Sequence, residues 1–498
     1  MPPGDIVILA IDQGTTGTTC MVFDSRAELI GRAYREFGQH FPRPGWVEHD
    51  ASEIWEVTHA VAGEALSDAG LRPGDLEAVG ITNQRETVCV WDPASGEPLH
   101  NAIVWQDRRT ASRCAQLHAE GLEQLIRERT GLVLDPYFSA TKIEWLLRNV
   151  EGLRERAAAG RAVFGTVDSW LIFKLCGEAV TDPSNASRTM LFDTARGTWD
   201  PELLDVFGVP ERALPSVGPS CGVVSITRPA ALHGHAVPVA GVAGDQQAAL
   251  FGQACVEPGS GKNTYGTGSF FLQNAGTSRP PPVPGLLATV AWRIGQQLTY
   301  ALEASVFATG AAVQWLRDGL GILDSAAESE PLARSLRSND GVYFVPALTG
   351  LGSPHWDPHA RGTIVGLTRG STRAHLARAA LESIAYQSVD AVRAVEAASG
   401  RSLEELRADG GAVANGWLMQ FQADLLGVPV LVPEIVETTA QGAAYLAGVG
   451  SNLWTIDYLV STWRERVRYE PAMSAEQRDE LLGWWHRAVE RARAWDTA

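Results

Sequence analysis

The chain carries only six cysteines (Cys20, Cys89, Cys114, Cys176, Cys221 and Cys255), far apart and with no C-x-x-C pair. That spacing excludes a zinc ribbon or a disulfide framework and reads as reduced, structural thiols. Positive charge is in deficit. Lys plus Arg is 41 and Asp plus Glu is 58, a net charge of −17, which argues against a nucleic-acid surface or an anionic membrane patch. Long apolar runs are missing as well. "MPPGDIVILAID" has no basic segment before its short apolar run, so it reads as a buried strand and not a signal, and no stretch approaches roughly 18 apolar residues. A cytoplasmic protein without nucleic-acid or membrane-inserted partners is expected. Neither G-x-x-x-x-G-K-[ST] nor a strand-linked G-x-G-x-x-G is present, which disfavours P-loop and Rossmann readings.

What remains is a glycine-rich α/β chain. At 498 residues it exceeds one ordinary core, so two domains of roughly 250 residues each are expected. Val/Ile-rich runs alternate with helical periodicity. "IVILAI" (6–11), "CMVFD" (20–24) and "LEAVGIT" (76–82) read as strands, and 51–70 reads as a helix ending at Gly70. Near residue 240 the organisation repeats: strand "VPVAGVAGD" (237–245), helix "QQAALFG", then strand, Gly/Thr turn and strand in "KNTYGTGSFFLQ" (262–273). "LRADGG" (406–411) ends a further strand, and 412–427 reads as the helix that follows. The domain boundary falls at 245–255, giving domains 1–251 and 252–498, with "TSRPPPVPG" (277–285) a surface loop. The last helix opens at Ser474 and Gln477 in capping-box spacing, with Leu481, Trp485, Ala488, Val489, Ala492 and Trp495 on one face.

Two turns invite a phosphate. In "DQGTTGTT" glycine lets backbone N–H groups approach an anion and threonine adds a hydroxyl, beside the strand-end carboxylate Asp12, which could hold Mg²⁺ directly or through water. Alone, this turn reads equally as a structural hairpin. "YGTGS" (265–269) supplies a second turn from the other half, and "DGGAVAN" (409–415) adds Gly410 and Gly411 against which an adenine or ribose could lie, with Asn415 in hydrogen-bonding reach. Taken alone, that segment is also a tight strand-to-helix turn. Two Gly-rich turns plus Asp-Gly-Gly describe the actin-like ATPase architecture.

The segments "DQGTT", "PGWVEHD", "GITNQRET", "NAIVWQDRRT", "GLVLDPYFS", "NASRTMLFD", "GDQQAALFGQ", "KNTYGTG" and "DGGAVANGWLMQFQADLLG" resemble the FGGY carbohydrate kinases, and within them the glycerol kinases, from about residue 6 to about 495. The resemblance implies an α/β fold of two ribonuclease-H-like (actin-like ATPase) domains with a central cleft, and in that cleft ATP-dependent phosphorylation of glycerol to sn-glycerol 3-phosphate, with ATP and Mg²⁺ and a homo-oligomeric state, dimer or tetramer. It assigns Arg85, Glu86, Tyr137, Asp245 and Gln246 to glycerol, with Trp105 and Phe270 as its apolar wall. Gly14, Thr15 and Thr16 fall to phosphate in the first domain, and Thr267, Gly310, Gln314, Gly411 and Asn415 to nucleotide in the second. Asp12 and Asp245 fall to the metal. The chemistry of the residue types agrees: Asp245, at a strand end, could accept the attacking hydroxyl's proton.

The chain departs from that family at one turn position. Glycerol kinases carry an arginine, a phosphate contact, after "DQGTTS-x", where this chain has Gly17, Thr18 and Thr19. Loss of such a donor predicts weaker turnover or nucleotide affinity unless another cation replaces it, by on the order of 10²-fold. "RPAALHGHAVPV" (228–239) also lacks the glycine-rich, arginine-bearing loop of the family's inhibitory site, and leaves His233 and His235 unassigned. Another FGGY kinase acting on a different small polyol or ketose, and a nucleotide-binding regulator of low turnover, are the rival readings.

Overall fold

The computed structural model describes residues 6–232 and 234–496, so His233 lies outside the described residues. The opening apolar run becomes the strand Val7–Gln13, which turns at Gly14–Thr16 into the antiparallel strand Gly17–Phe23, and this pairs in turn with Leu29–Glu36. Leu76–Asn83 joins the other edge of the first strand in parallel, and Pro238–Gly244 joins Leu76–Asn83 in parallel. The second half repeats this five-strand order. Gln297–Val306, Ser269–Gly276 and Gly261–Tyr265 pair antiparallel, then Leu406–Asp409 and Val430–Pro433 follow in parallel. Leu287–Ile294 and Cys221–Ile226 connect the halves into one thirteen-stranded sheet, closed at the far edge by Glu465–Tyr469. Each parallel strand demands a crossover. The helix Ala51–Asp68 makes one in the first half, and Arg373–Ser399 and Gly416–Leu426 serve the second.

Each half buries its own core. Leu9, Ile11, Val22, Val61 and Trp170 pack in the first; Tyr265, Leu316, Ile384, Leu406 and Phe421 pack in the second. Between them, helix Asp245–Gly252 meets helix Thr438–Gly450 with almost no side chain intervening. A Cβ on Gly442 would lie 1.8 Å from the Ala248 carbonyl oxygen, and one on Gly252 would lie 2.1 Å from the Thr438 carbonyl oxygen. Only glycine permits this approach.

Local expectations need three adjustments. The first helix ends at Asp68 with Ala69 as its cap, and Gly70 follows at φ +69, taking the left-handed turn one residue past the cap. The helix expected from residue 412 begins at Gly416, because Gly411–Ala414 is a 3-10 turn and Asn415 caps the helix, accepting from Leu418 N at 2.9 Å. In the last helix, Ala475–Ala492, Leu482 is buried in place of Leu481, which is only half-buried against the core, and Trp495 lies past the helix end at 70% exposure. All six cysteines are buried and free. Among the described residues no helix is long and apolar enough to cross a membrane.

Candidate active site

The first Gly/Thr turn is tied back through its carbonyls. The Gly14 oxygen accepts from Gln84 Nε2 at 3.1 Å and Gln13 Nε2 at 2.8 Å, the Thr15 oxygen from Gln39 Nε2 at 3.0 Å, and the Thr16 oxygen from Phe37 N at 3.3 Å. Gly14 N closes the turn on Gly17 O at 2.9 Å. The hydroxyl of Thr15 accepts from Trp105 Nε1 at 2.9 Å, and Trp105 stands edge-on to Tyr137 with ring centroids 5.5 Å apart. One bond thus links the first Gly/Thr turn to the Trp105–Tyr137 aromatic pair.

The second turn is built on the Asp-Gly-Gly segment. Asp409 pairs with Thr264 in the sheet, and Gly410, at φ +89, passes so close that a Cβ would lie 2.5 Å from the Tyr265 carbonyl oxygen. Gly310 N donates to Gly266 O at 3.0 Å and Ala311 N to Thr267 O at 3.1 Å, seating Thr267 against the start of helix Gly310–Gln314. Thr267, Gln314 and Gly411 are exposed, with open space where a Gly411 side chain would be. Asn415 gives its Oδ1 to the helix cap, which leaves its Nδ2 amide as the group that could meet a ligand.

Between the turns lies a buried charge cluster. Arg85 donates from Nη1 and Nη2 to Glu303 at 2.6 and 3.2 Å, and its Nε lies 3.0 Å from Asp245 Oδ1 and 3.9 Å from Glu86 Oε1. Arg188 closes the ring, donating from Nε to Glu86 at 2.6 Å and from Nη2 to Glu303 at 3.1 Å. The side chains of Arg85, Arg188, Glu86 and Glu303 are at most 2% exposed, whereas that of Asp245 is 30% exposed. Asp245 is therefore the carboxylate that meets solvent. Phe270 places its ring 5.9 Å from the Arg85 guanidinium carbon, and Arg188 lies 5.8 Å from the Tyr137 ring. Glu86 sits at φ +63, a strained backbone for a non-glycine residue that the surrounding ring of ion pairs holds in place.

The charges have consequences for protonation. Burial pushes the Glu303 carboxyl up, but Arg188 and Arg85 outweigh it and bring the group down to about 2. Asp12 is pushed up to about 7 by burial first and then by the negative charges of Asp245 and Glu437. Lys262 donates to the Gln246 side-chain oxygen and to Thr264 Oγ1 at 2.7 Å, and burial brings it down to about 8.

Of the substrate-side residues expected from the sequence, Arg85, Glu86, Trp105, Tyr137, Asp245 and Phe270 connect through the contacts above and Arg188, and Gln246 joins them through its backbone N–H, which donates to Asp245 Oδ1 at 2.7 Å. Three residues of the cluster escaped sequence reading. Arg188 sits in "NASRTMLFD", where its spacing carries no site signal of its own. Lys262 opens the second-turn segment, and its rarity, one of only three lysines in the chain, was the available signal. Glu303 is an acid inside the apolar strand Gln297–Val306, and a charge at a position the strand pattern makes apolar was its only signal.

Two copies of one five-strand unit, each offering a Gly/Thr turn beside a buried charge cluster, define a two-domain phosphotransferase fold of the actin-like ATPase class. Comparison with known proteins agrees. The profile of the FGGY family of carbohydrate kinases, N-terminal domain, matches residues 7–252, and that of the C-terminal domain matches residues 261–451. The chain is 55% identical to glycerol kinase of Deinococcus radiodurans over 492 residues, covering 98% of each, and 54% identical to glycerol kinase 2 of Thermotoga maritima over 98% of this chain and 99% of that one. Among solved structures, Plasmodium falciparum glycerol kinase with ADP superposes at a TM-score of 0.92 with 34% identity over 98% of both chains. Xylulose kinase from Rhodospirillum rubrum reaches 0.86 at 26% identity, over 97% of this chain and 98% of that one. The chain belongs to the FGGY family of carbohydrate kinases.

Proposed function

We propose that this protein is a glycerol kinase, transferring the terminal phosphoryl group of ATP to glycerol to give sn-glycerol 3-phosphate. The observation that carries the reading is the Arg85 ion pair with the partly exposed Asp245, with the Phe270 ring beside the same guanidinium. Glycerol needs fixed donors and acceptors for its hydroxyls and an apolar face for its carbons. Arg85, Glu86, Tyr137 and Gln246 supply the first, Trp105 and Phe270 the second. Asp245 takes the proton of the attacking hydroxyl, and Arg85 holds that carboxylate in place.

The nucleotide lies along the second half, with Thr267, Gly310 and Gln314 at one side, Gly411 and Asn415 at the other, and its phosphates reaching the turn Gly14–Thr16, where Thr15 and Thr16 offer hydroxyls. The carboxylate set fits Mg²⁺: Asp12 is held near 7 by burial and by neighbouring acids, a strain that a bound cation relieves. Asp12 and Asp245 would hold it, directly or through water. Among the described residues no three His, Cys, Asp or Glu side chains converge on a metal site, which suits an ion that keeps water and phosphate oxygens as ligands. When bound, the cation supplies charge neutralisation on the phosphates. We place the enzyme in the cytoplasm, where six buried free thiols stay reduced, and expect a dimer or tetramer.

The decisive experiment follows ADP release by purified protein with ATP, Mg²⁺ and a panel of polyols and ketoses, with Asp245→Asn as control. Glycerol should give the highest kcat/KM. A better signal from a five-carbon ketose, or none above the control, would overturn the reading.

A further inference from the structure

We infer that Arg32 is the cation of the first-domain phosphate site, standing on the neighbouring strand in the role that the turn itself leaves unfilled at Thr19. The inference rests on the kinase reading above and concerns which residue meets the phosphate. Sheet register sets the geometry. Asp12 pairs with Thr19 and Thr19 with Tyr34, so these three side chains share one face at the mouth of the turn. The next row on that face is Ala10, Met21 and Arg32. Arg32 is thus one strand from Thr19 and one same-face position along, roughly 5 Å across and about 7 Å along the strand, a span that an arginine side chain covers.

The other cations near the turn are committed elsewhere. Arg35 follows the opposite alternation and pairs with Glu64 on the helix behind the sheet. Arg85 and Arg188 are buried in their carboxylate ring, and Lys262 is buried on Gln246 and Thr264. Arg32 differs. Its side chain is 46% exposed, and its Nη2 lies 3.1 Å from Glu437, itself 36% exposed, at the N-terminus of helix Thr438–Gly450. A solvent-exposed pair of this kind is worth little to stability, so exchanging the carboxylate for a more highly charged phosphate is cheap and gains a bidentate, charge-assisted contact. Glu437 also sits close enough for its charge to act on Asp12, which places Arg32's resting partner beside the proposed metal carboxylate.

Calorimetric titration of ADP with Mg²⁺, together with kcat/KM for ATP, tests this in Arg32→Met, which keeps the apolar stem. Nucleotide affinity or kcat/KM should fall, by on the order of 10²-fold. Adding Thr19→Arg should recover at least tenfold of the loss, and adding Glu437→Gln should not. An Arg32→Met protein within twofold of wild type overturns the inference. So does full recovery with Glu437→Gln, which would make Arg32 merely a neutraliser of that acid, and so does a failure of Thr19→Arg to recover binding. Because ADP binding is read without a polyol, these outcomes are separable from failure of the glycerol kinase reading, which shows as no polyol-dependent turnover in wild type.

Discussion

Asp245 Oδ1 lies 3.0 Å from Arg85 Nε, and of the charged side chains around that guanidinium it is the one that reaches solvent. A fixed cation on one carboxylate oxygen leaves the other to meet a substrate hydroxyl. Asp245→Asn keeps the shape and removes the base, so kcat should fall by about 10²- to 10⁴-fold. ADP affinity, read by calorimetry, should change far less. A variant that retained a tenth of wild-type kcat would remove Asp245 from the role of base.

Glu303 accepts from both arginines of the cluster and comes from the second half of the sheet, whereas Arg85 and Arg188 come from the first. Removing its charge leaves two guanidinium groups under-compensated in a fully buried place, and breaking such a pair costs about 3–5 kcal/mol. Glu303→Gln should lose that order of stability in urea denaturation at pH 7. The group is held down at about 2 against an ordinary 4.5, so its stabilisation is complete above 4.5 and disappears as pH falls toward 2. The gap between wild type and variant should therefore narrow at pH 3, and a gap of equal size at both pH values would contradict the assignment.

The parts of the site that local backbone chemistry specifies were legible in the sequence. Gly14, Thr15 and Thr16, the strand-end Asp12 and Asp245, and the Asp-Gly-Gly turn announce themselves because glycine, threonine and strand-terminal acids have few other reasons to fall together. Arg188 and Glu303 were opaque because their roles depend on contacts between segments more than a hundred residues apart, as with Arg85 and Glu303, 218 positions from each other. The same limit hid the start of the helix at Gly416. Its hydrophobic period runs back through Val413, yet Asn415 takes an extended backbone and caps the helix there. Arg32 carries no motif at all, and only the pairing Met21↔Arg32 brings it to the face of the sheet that carries Asp12.

The glycine contact between helices Asp245–Gly252 and Thr438–Gly450 makes a sharp demand on sequence. In Gly442→Ala the new methyl would meet the Ala248 carbonyl oxygen at 1.8 Å, and backbone on both sides leaves neither partner a cheap movement. Overpacking of this kind costs about 1–3 kcal/mol or more. Thermal unfolding should show a lowered Tm, and since Asp245 heads one of the two helices, kcat should fall with it. Gly483→Ala, in the last helix with no atom within 4 Å, is the control and should leave kcat unchanged and Tm unchanged or slightly raised by the better helix former.

Lys262 offers a pH test. Its ammonium donates to Gln246, the proposed polyol contact, and to Thr264, and burial lowers its pKa from 10.5 to about 8. A base depressed on folding binds fewer protons in the native state than in the unfolded chain across that interval, so its contribution makes stability rise with pH between about 8 and 10.5. Wild type should gain on Lys262→Met in Tm between pH 8 and pH 9.5. In activity the direction reverses: losing the charge weakens the hold on Gln246, so the wild-type KM for glycerol should climb above pH 8. Lys262→Met should start with a KM raised by about tenfold, the worth of one charge-assisted hydrogen bond, and show no such climb. A variant whose KM still rose above pH 8 would place the titrating group elsewhere.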